Sequence, residues 1–464
     1  MRFAVGRDAL GEAVAFVSRA LPSRPVIPLL SGLMLRAGAD GLVLSCFDYE
    51  VSARMRVDAE VAEPGAALVP GRLLAEITKS LPARPAEFCD QGEIVRLTCG
   101  RAEFELVRLA AEEYPALPGS PPPAGTVNGG MLAAAIGQVA PAASRDDTLP
   151  MLTAVCLDVS GESLTLAATD RYRLAVRELP FDPAEPGMRA VALVPARFLA
   201  DSVRMLTPKA PVTVAFSGER GGRAGADPRP AEGVICLECG DRRLTARLIA
   251  GEFIRYRTRF PEEFGCRADV PAGPFIDAVR RAALVADRAG PVRLSFSPSR
   301  LVIEAHDEGR ARAAETVPAD FAGDQPVISF NSQYLLDGLT AAAAQGAAGA
   351  QGDAGARGLA GGGAGRDGGA AGDGDGGAGG DDGASPDGAG ATGRAGPATG
   401  GTAGDEEAPG PGLIRLEFTS PARPALVTWA APGGPGAGQS GSAAAGQAPA
   451  FRYLVVPLRL PSRA

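Results

Sequence analysis

The 464-residue chain has one histidine, His306. That scarcity excludes histidine-rich metal sites and the paired-histidine helix of a metalloprotease, and it leaves a Ser-His-Asp triad only one possible base. Lysine is nearly absent too: Lys79 and Lys209 are the only two, and neither follows the glycine spacing of a phosphate-binding loop. No uncharged apolar run approaches the roughly 20 residues of a membrane span. The first dozen residues carry Arg2, Arg7, Asp8 and Glu12 without the apolar stretch of a secretory signal, so a soluble chain with no membrane partner is expected. Cysteines at 46, 89, 99, 156, 236, 239 and 266 are odd in number and scattered, which fits reduced thiols in a cytoplasm better than a disulfide framework.

Net charge is −8, which taken alone speaks against a nucleic-acid partner. Its distribution alters that reading. Residues 341–412 hold ten acids against three arginines, so the rest of the chain is close to neutral and can carry one basic and one acidic face. The same stretch is Gly, Ala and Asp with Leu359 as its only large aliphatic, a composition that cannot bury enough surface to offset the entropy of ordering. It reads as a disordered insertion, and 431–450 as a second, shorter one.

Setting both aside leaves 372 residues, three units of 124, and the internal spacing agrees. An alternating strand, a turn aspartate and a return strand occur at Leu42–Ala53, Leu164–Val176 and Leu301–Ala311. Asp48 and Asp170 are 122 apart, and Pro70 and Pro195, each ending a Val-Pro strand, are 125 apart. Every unit reads as strand, amphipathic helix, strand pair, second helix and closing strands. The expected fold is therefore α+β: three repeated domains over 1–124, 125–267 and 268–464, each an antiparallel sheet with two helices, with both insertions in the third. Such units can join edge to edge into a curved sheet lined by helices, which two chains would close into a ring.

Little in the chain suggests catalysis, and no metal, cofactor or catalytic residue is expected. Cys236-x-x-Cys239 lies on an expected strand, without the helix N-terminus that depresses a thiol pKa and without two further zinc ligands. Asp48, Asp170 and Asp307 each head a separate repeat, so they read as turn caps. Arg72 and Arg197 recur at equivalent helix starts, and Arg24 precedes Pro25. Basic groups repeated in this way can follow a phosphate backbone without reading sequence.

Arg24-Pro25 with Ile27-Pro28-Leu29-Leu30, Val69-Pro70-Gly71-Arg72, Ala168-Thr169-Asp170-Arg171-Tyr172-Arg173-Leu174-Ala175, Arg257 with Phe260-Pro261, and Tyr453 through Leu460 occur in one order. In this the chain resembles the bacterial sliding clamp, the β subunit of DNA polymerase III. The resemblance implies three DNA-clamp domains forming half of a closed ring, a head-to-tail homodimer around duplex DNA. Such a ring tethers the polymerase III α subunit and raises processivity without catalysis, and it receives the clamp loader, other polymerases and repair proteins through short peptides. It further implies a peptide cleft of Leu152, Thr169, Arg171, Tyr172, Arg173 and Leu174, facing Ile254, Thr258 and Arg259 and the tail Val455, Val456, Pro457, Leu458, Arg459 and Leu460, with arginines at its rim. DNA contacts would fall on Arg24, Arg72 and Arg197, and the subunit interface on Phe104 and Leu106 against the partner's third domain at Leu284 and Val285. Ile254 stands where a proline is usual, four residues (461–464) run past the usual end, and the acidic insertion is not a family feature. These departures leave a second reading, a divergent clamp paralogue serving as a non-replicative interaction hub on DNA.

Overall fold

Three successive repeats follow one order of elements: strand, helix, five strands, helix, three strands. The computed structural model describes residues 1–216, 233–286, 290–307, 310–357, 412–430 and 451–458, with side chains in the last helix through residue 346. By their contacts the residues fall into two units, Met1–Ala347 with Pro411–Ala464, and Ala348–Gly410. No helix among the described residues is long and apolar enough to cross a membrane.

The first repeat comprises β1 (Arg2–Val5), α1 (Arg7–Val17), β2 (Gly32–Gly38), β3 (Gly41–Phe47), β4 (Val51–Val57), β5 (Ala59–Glu63), β6 (Gly65–Pro70), α2 (Gly71–Ser80), β7 (Ala86–Asp90), β8 (Ile94–Cys99) and β9 (Ala102–Val107). The second comprises β10 (Pro123–Asn128), α3 (Gly129–Val139), β11 (Ala154–Ser160), β12 (Ser163–Thr169), β13 (Arg173–Pro180), β14 (Asp182–Pro183), β15 (Arg189–Pro195), α4 (Ala196–Ser202), β16 (Pro211–Phe216), β17 (Val234–Cys239) and β18 (Arg242–Arg247). The third comprises β19 (Cys266–Pro271), α5 (Ala272–Ala283), β20 (Pro291–Ser297), β21 (Arg300–Asp307), β22 (Ala311–Pro318), β23 (Asp320–Ala322), β24 (Val327–Asn331), α6 (Ser332–Arg357), β25 (Leu413–Phe418), β26 (Ala425–Ala430) and β27 (Phe451–Val455).

Period decides each element. Val95, Leu97 and Cys99 alternate inward along β8, while Phe275, Ala278, Val279 and Ala282 follow the helical spacing along α5 and are all buried. Proline precedes α2, α4 and α5, Gly6 precedes α1 without a side-chain cap, and asparagine caps the other two: Asn128 Oδ1 accepts from Met131 N at 3.0 Å and Asn331 Oδ1 from Tyr334 N at 3.0 Å. The buried helix faces and one face of the strands form a continuous apolar core that includes Leu10, Val14, Leu132, Ile136, Phe275 and Leu335.

All strand pairs are antiparallel, in four sheets: β5-β1-β7-β8-β9, β14-β10-β16-β17-β18-β4-β3-β2-β6, β15-β11-β12-β13-β27-β26-β25-β19-β23, and β22-β21-β20-β24. The two long sheets cross between repeats by the same rule. The ninth strand of one repeat lies on the fourth strand of the preceding one, β18 on β4 and β27 on β13.

Two expectations need correction. The insertion does not start at 341: α6 runs on to Arg357, with Ala341 and Ala342 buried. Alanine is the best helix former, so the helix propagates beyond its last large aliphatic residue, where periodicity gives no signal. Gly346 and Gly412, both within composition-biased sequence, leave no room for a Cβ beside the Trp429 ring and serve close packing. Residues 358–411 and 431–450, the remainder of the expected insertions, lie outside the described residues. The third turn also departs from its counterparts in register, Asp307 pairing with Ala311.

Candidate functional site

The turn between β12 and β13 is held by its own polar groups. Asp170 Oδ1 accepts from Tyr172 N at 3.0 Å and from Arg173 N at 3.1 Å, and Thr169 Oγ1 donates to Arg173 O at 2.6 Å. Closing the turn this tightly puts Arg171 at φ 81°, left-handed backbone that non-glycine residues seldom adopt. The first repeat builds the same turn: Asp48 Oδ1 accepts from Glu50 N at 3.0 Å and Val51 N at 2.7 Å, with Tyr49 at φ 74°. Both aspartates are caps, as their spacing suggests. What the second turn presents outward is Arg171 and Tyr172, the latter 51% exposed with the Arg171 guanidinium 5.9 Å from its ring centre.

Arg173 does not sit at a rim. Its side chain is only 9% exposed, its Nε donates to Asp170 Oδ2 at 2.9 Å, and its Nη atoms bond Asp337 of α6 and the Pro141 carbonyl. The guanidinium stacks 4.5 Å from the centre of the Tyr334 ring. Burial opposes its charge, but the Tyr453 hydroxyl, Asp337 and Asp170 outweigh burial and raise its pKa. It braces the second repeat against the third, because the partner that neutralises it lies across the sheet junction.

The junction itself is the pairing of β13 with the C-terminal β27, which sets Leu174 opposite Leu454 and Arg173 opposite Val455. Side chains alternate, so Leu174, Val176 and Leu454 fall on the face away from the main core. There they join Cys156, Leu193, Tyr256 and Leu426 in a separate apolar cluster, with Phe253, Ile254 and Phe260 packed on it. Tyr256 keeps its hydroxyl satisfied by donating to Asp158 Oδ2 at 2.7 Å, and its pKa rises chiefly through burial. Thr258 and Arg259 are exposed at the end of a short 3-10 turn, Thr258 Oγ1 donating to Arg255 O at 3.0 Å. Leu152 is buried, while Leu149 and Met151 beside it in the chain are exposed. Beyond β27, Val456 N donates to Tyr172 O at 2.8 Å and Leu458 N to Ser329 O at 2.7 Å, so the tail runs along the turn with Leu458 38% exposed. Val455 is buried in the main core, and Pro457 is buried too. Arg459 and Leu460 lie outside the described residues.

The three arginines expected on DNA are exposed and grouped. Arg72 Nη2 donates to Pro22 O at 2.9 Å, two residues from Arg24, and Arg197 shares a cavity wall with Pro22. Phe104 is half-buried on β9, Leu284 is 83% exposed after α5, and Val285 is half-buried, whereas Leu106 is 1% exposed and packs in its own chain's core. Cys236 and Cys239 are buried strand thiols, the former with its pKa raised by burial, which removes a redox reading.

Family models for the DNA polymerase III beta subunit match the chain in three consecutive pieces: the N-terminal domain over residues 1–118, the central domain over 126–254 and the C-terminal domain over 257–347. The chain belongs to this sliding-clamp family. The beta sliding clamp of Streptomyces coelicolor is 49% identical over 341 residues, covering 74% of this chain and 88% of that protein. The beta sliding clamp homolog GriR of Streptomyces muensis is 40% identical over 340 residues, covering 73% and 88% respectively. The DNA polymerase sliding clamp of Bacillus subtilis shares the fold with a TM-score of 0.74 at 22% identity, over 99% of this chain and 100% of that one.

In this clamp-family chain the turn and tail gather residues that sequence reading missed. Tyr334, stacked on Tyr172 at 6.2 Å and 23°, sits one residue after the α6 position equivalent to Arg72 and Arg197, so repeat alignment could have found it. Leu454 carries no local signal, since only the strand pairing brings it to the Leu174 cluster.

Proposed function

We propose that two copies of this chain close head to tail into a ring around duplex DNA and hold a polymerase III α subunit there as a processivity clamp without catalysing a reaction. The observation that carries this is the junction rule. Ninth strand on fourth strand is satisfied twice within the chain, and it leaves β9 and β22 as the one ninth strand and the one fourth strand that pair on a single side. Joining β9 of one protomer to β22 of its partner repeats the rule, removes both open edges and closes six repeats. Phe104 and the 63% exposed Val107 would meet Leu284 and Val285 of the partner subunit there, with Leu106 supporting from beneath. The proposed domains are 1–124, 125–267 and 268–464, and the place of action is the cytoplasm.

Arg24, Arg72 and Arg197 would contact phosphates without reading bases, which suits a ring that must slide. The cleft would take short peptides of the clamp loader, other polymerases and repair proteins. Their apolar anchors would enter over Leu174, Leu152 and Ile254 between Tyr172 and the tail at Val456 to Leu460, with Thr169 and Arg173 shaping the turn from behind and Arg171, Thr258 and Arg259 at the lip. Light scattering should give a dimer at micromolar concentration, and the chain should stimulate a cognate polymerase on a primed circle. A strict monomer that gives no stimulation overturns the proposal.

A further inference from the structure

The junction between the first and second repeats encloses a cavity of about 300 Å3 at the place where Arg173 lies in the junction between the second and third. Strand pairing fixes the correspondence. Val51 opposes Ala246 on β18 as Arg173 opposes Val455 on β27, and Ala53 opposes Leu244 as Ala175 opposes Tyr453. Four groups cradle the Arg173 guanidinium: the carboxylates of Asp170 and Asp337, the Tyr334 ring and the Pro141 carbonyl. By repeat position their counterparts are Asp48, Asp201, Phe198 and Arg19, and all four line the cavity. The arginine itself is missing, since Val51 occupies its position, and Leu244 replaces the bulkier Tyr453.

Two carboxylates therefore line a largely apolar hollow in which no side chain takes the place of Arg173, with the exposed Arg19, Arg197 and Arg247 also on its wall. Asp48 uses only Oδ1, for the backbone of its turn, and Asp201 has no hydrogen-bond or ion-pair partner among the described residues. We infer that this cavity is a second docking site, which admits an arginine side chain of a partner protein's loop or tail with an adjacent apolar residue against Phe198 and Leu244. Carboxylate pairs recognise a guanidinium through charge-assisted, directional hydrogen bonds, and an aromatic face adds a cation–π contact. A volume near 300 Å3 suits one long side chain and part of a second. Arg197, one turn before Asp201 at the cavity edge, competes for the same carboxylate.

The test uses the full chain and a dye-labelled heptapeptide with a central arginine flanked by leucines, beside the same peptide with neutral citrulline, read by fluorescence anisotropy. The arginine peptide should bind at least tenfold tighter than the citrulline peptide. Asp201→Asn should bring that preference below threefold, Arg197→Ala should strengthen binding, and Val51→Arg, which supplies the missing side chain internally, should abolish saturable binding. Asp201→Asn, at an exposed helix position, carries the decision if Val51→Arg lowers the melting temperature. Equal binding of the two peptides, no saturable binding, or binding that survives Val51→Arg but is lost in Leu174→Ala overturns the inference; the last outcome places the peptide in the other junction.

Discussion

The two internal junctions share a backbone and differ in what fills it. In both, an aspartate-capped turn leads into a fourth strand that pairs with the ninth strand of the next repeat, and a backbone amide of that ninth strand's end, Arg247 N or Val456 N, donates to the turn carbonyl of Glu50 or Tyr172. On the outer face, however, the first junction pairs Ser52 with Thr245, and the second pairs Leu174 with Leu454. On the inner face the first leaves a hollow at Val51, and the second is plugged by Arg173. Register thus fixes where side chains go, while two cross-strand pairs decide which junction gains an apolar cluster shared by both repeats and a buried, ion-paired arginine. Among the described residues an outer cluster that draws on both repeats is present at the second junction alone; the first repeat's own outer cluster of Met34, Phe47, Leu68 and Tyr114 includes no residue of the second. It is at the second junction that a peptide's apolar anchors would find a floor.

The comparison breaks most severely at the plug. Arg173→Met leaves Asp170 and Asp337 facing each other without their cation in a largely buried setting, and should cost about 3 kcal/mol of stability by denaturant titration. Val51→Ala at the matching position removes only two methyl groups beside an existing hollow and should cost about 1 kcal/mol. Similar losses at the two positions would mean that Arg173 is not a brace.

Truncating the outer pair comes next. Leu174→Ala removes one of the buried members of the cluster and should cost about 2 kcal/mol, with peptide affinity falling at least tenfold while the ring persists in light scattering. Ser52→Ala in the first junction should leave peptide affinity unchanged. Unaltered affinity in Leu174→Ala would detach the cleft from this cluster.

A third difference lies further along the same strands. Arg177 of β13 is 7% exposed, its Nε and Nη1 find no hydrogen-bond partner among the described residues, and burial lowers its pKa. Met55 holds the equivalent place on β4. Arg177→Met should therefore stabilise the protein by about 1 kcal/mol, because it removes a buried charge without breaking a pair. A destabilisation would reveal an anion that holds Arg177.

How far the sequence disclosed this is uneven, for physical reasons. The threefold order and the role of Asp48 and Asp170 are local, carried by alternation and turn chemistry, and both were legible. The sequence places Arg173 in the cleft wall, and its burial against Asp337 is not legible there because the two meet only through the β13 and β27 pairing, which no local pattern encodes. Val455, expected in the cleft, lies in the main core, and Leu454, which was not, lies in the outer cluster, for the same reason: a tail of consecutive apolar residues does not announce which of them faces the core. The extension of α6 was invisible because alanine marks neither face of a helix.

The finest distinction concerns the turns themselves. Tyr49 and Arg171 share left-handed backbone, which costs an L-residue about 1 kcal/mol that glycine avoids, partly offset by the greater freedom of glycine in the unfolded chain. Tyr49→Gly and Arg171→Gly should thus raise stability by similar small amounts, up to about 0.5 kcal/mol. Their effects on function should differ. Arg171→Gly removes a lip cation beside Tyr172 and should weaken peptide binding a few-fold with reduced salt dependence, whereas Tyr49→Gly should not alter it. If both changes act equally on peptide binding, the turns contribute through backbone shape, and the distinction between the junctions rests on the Leu174 and Leu454 pair and on Arg173 alone.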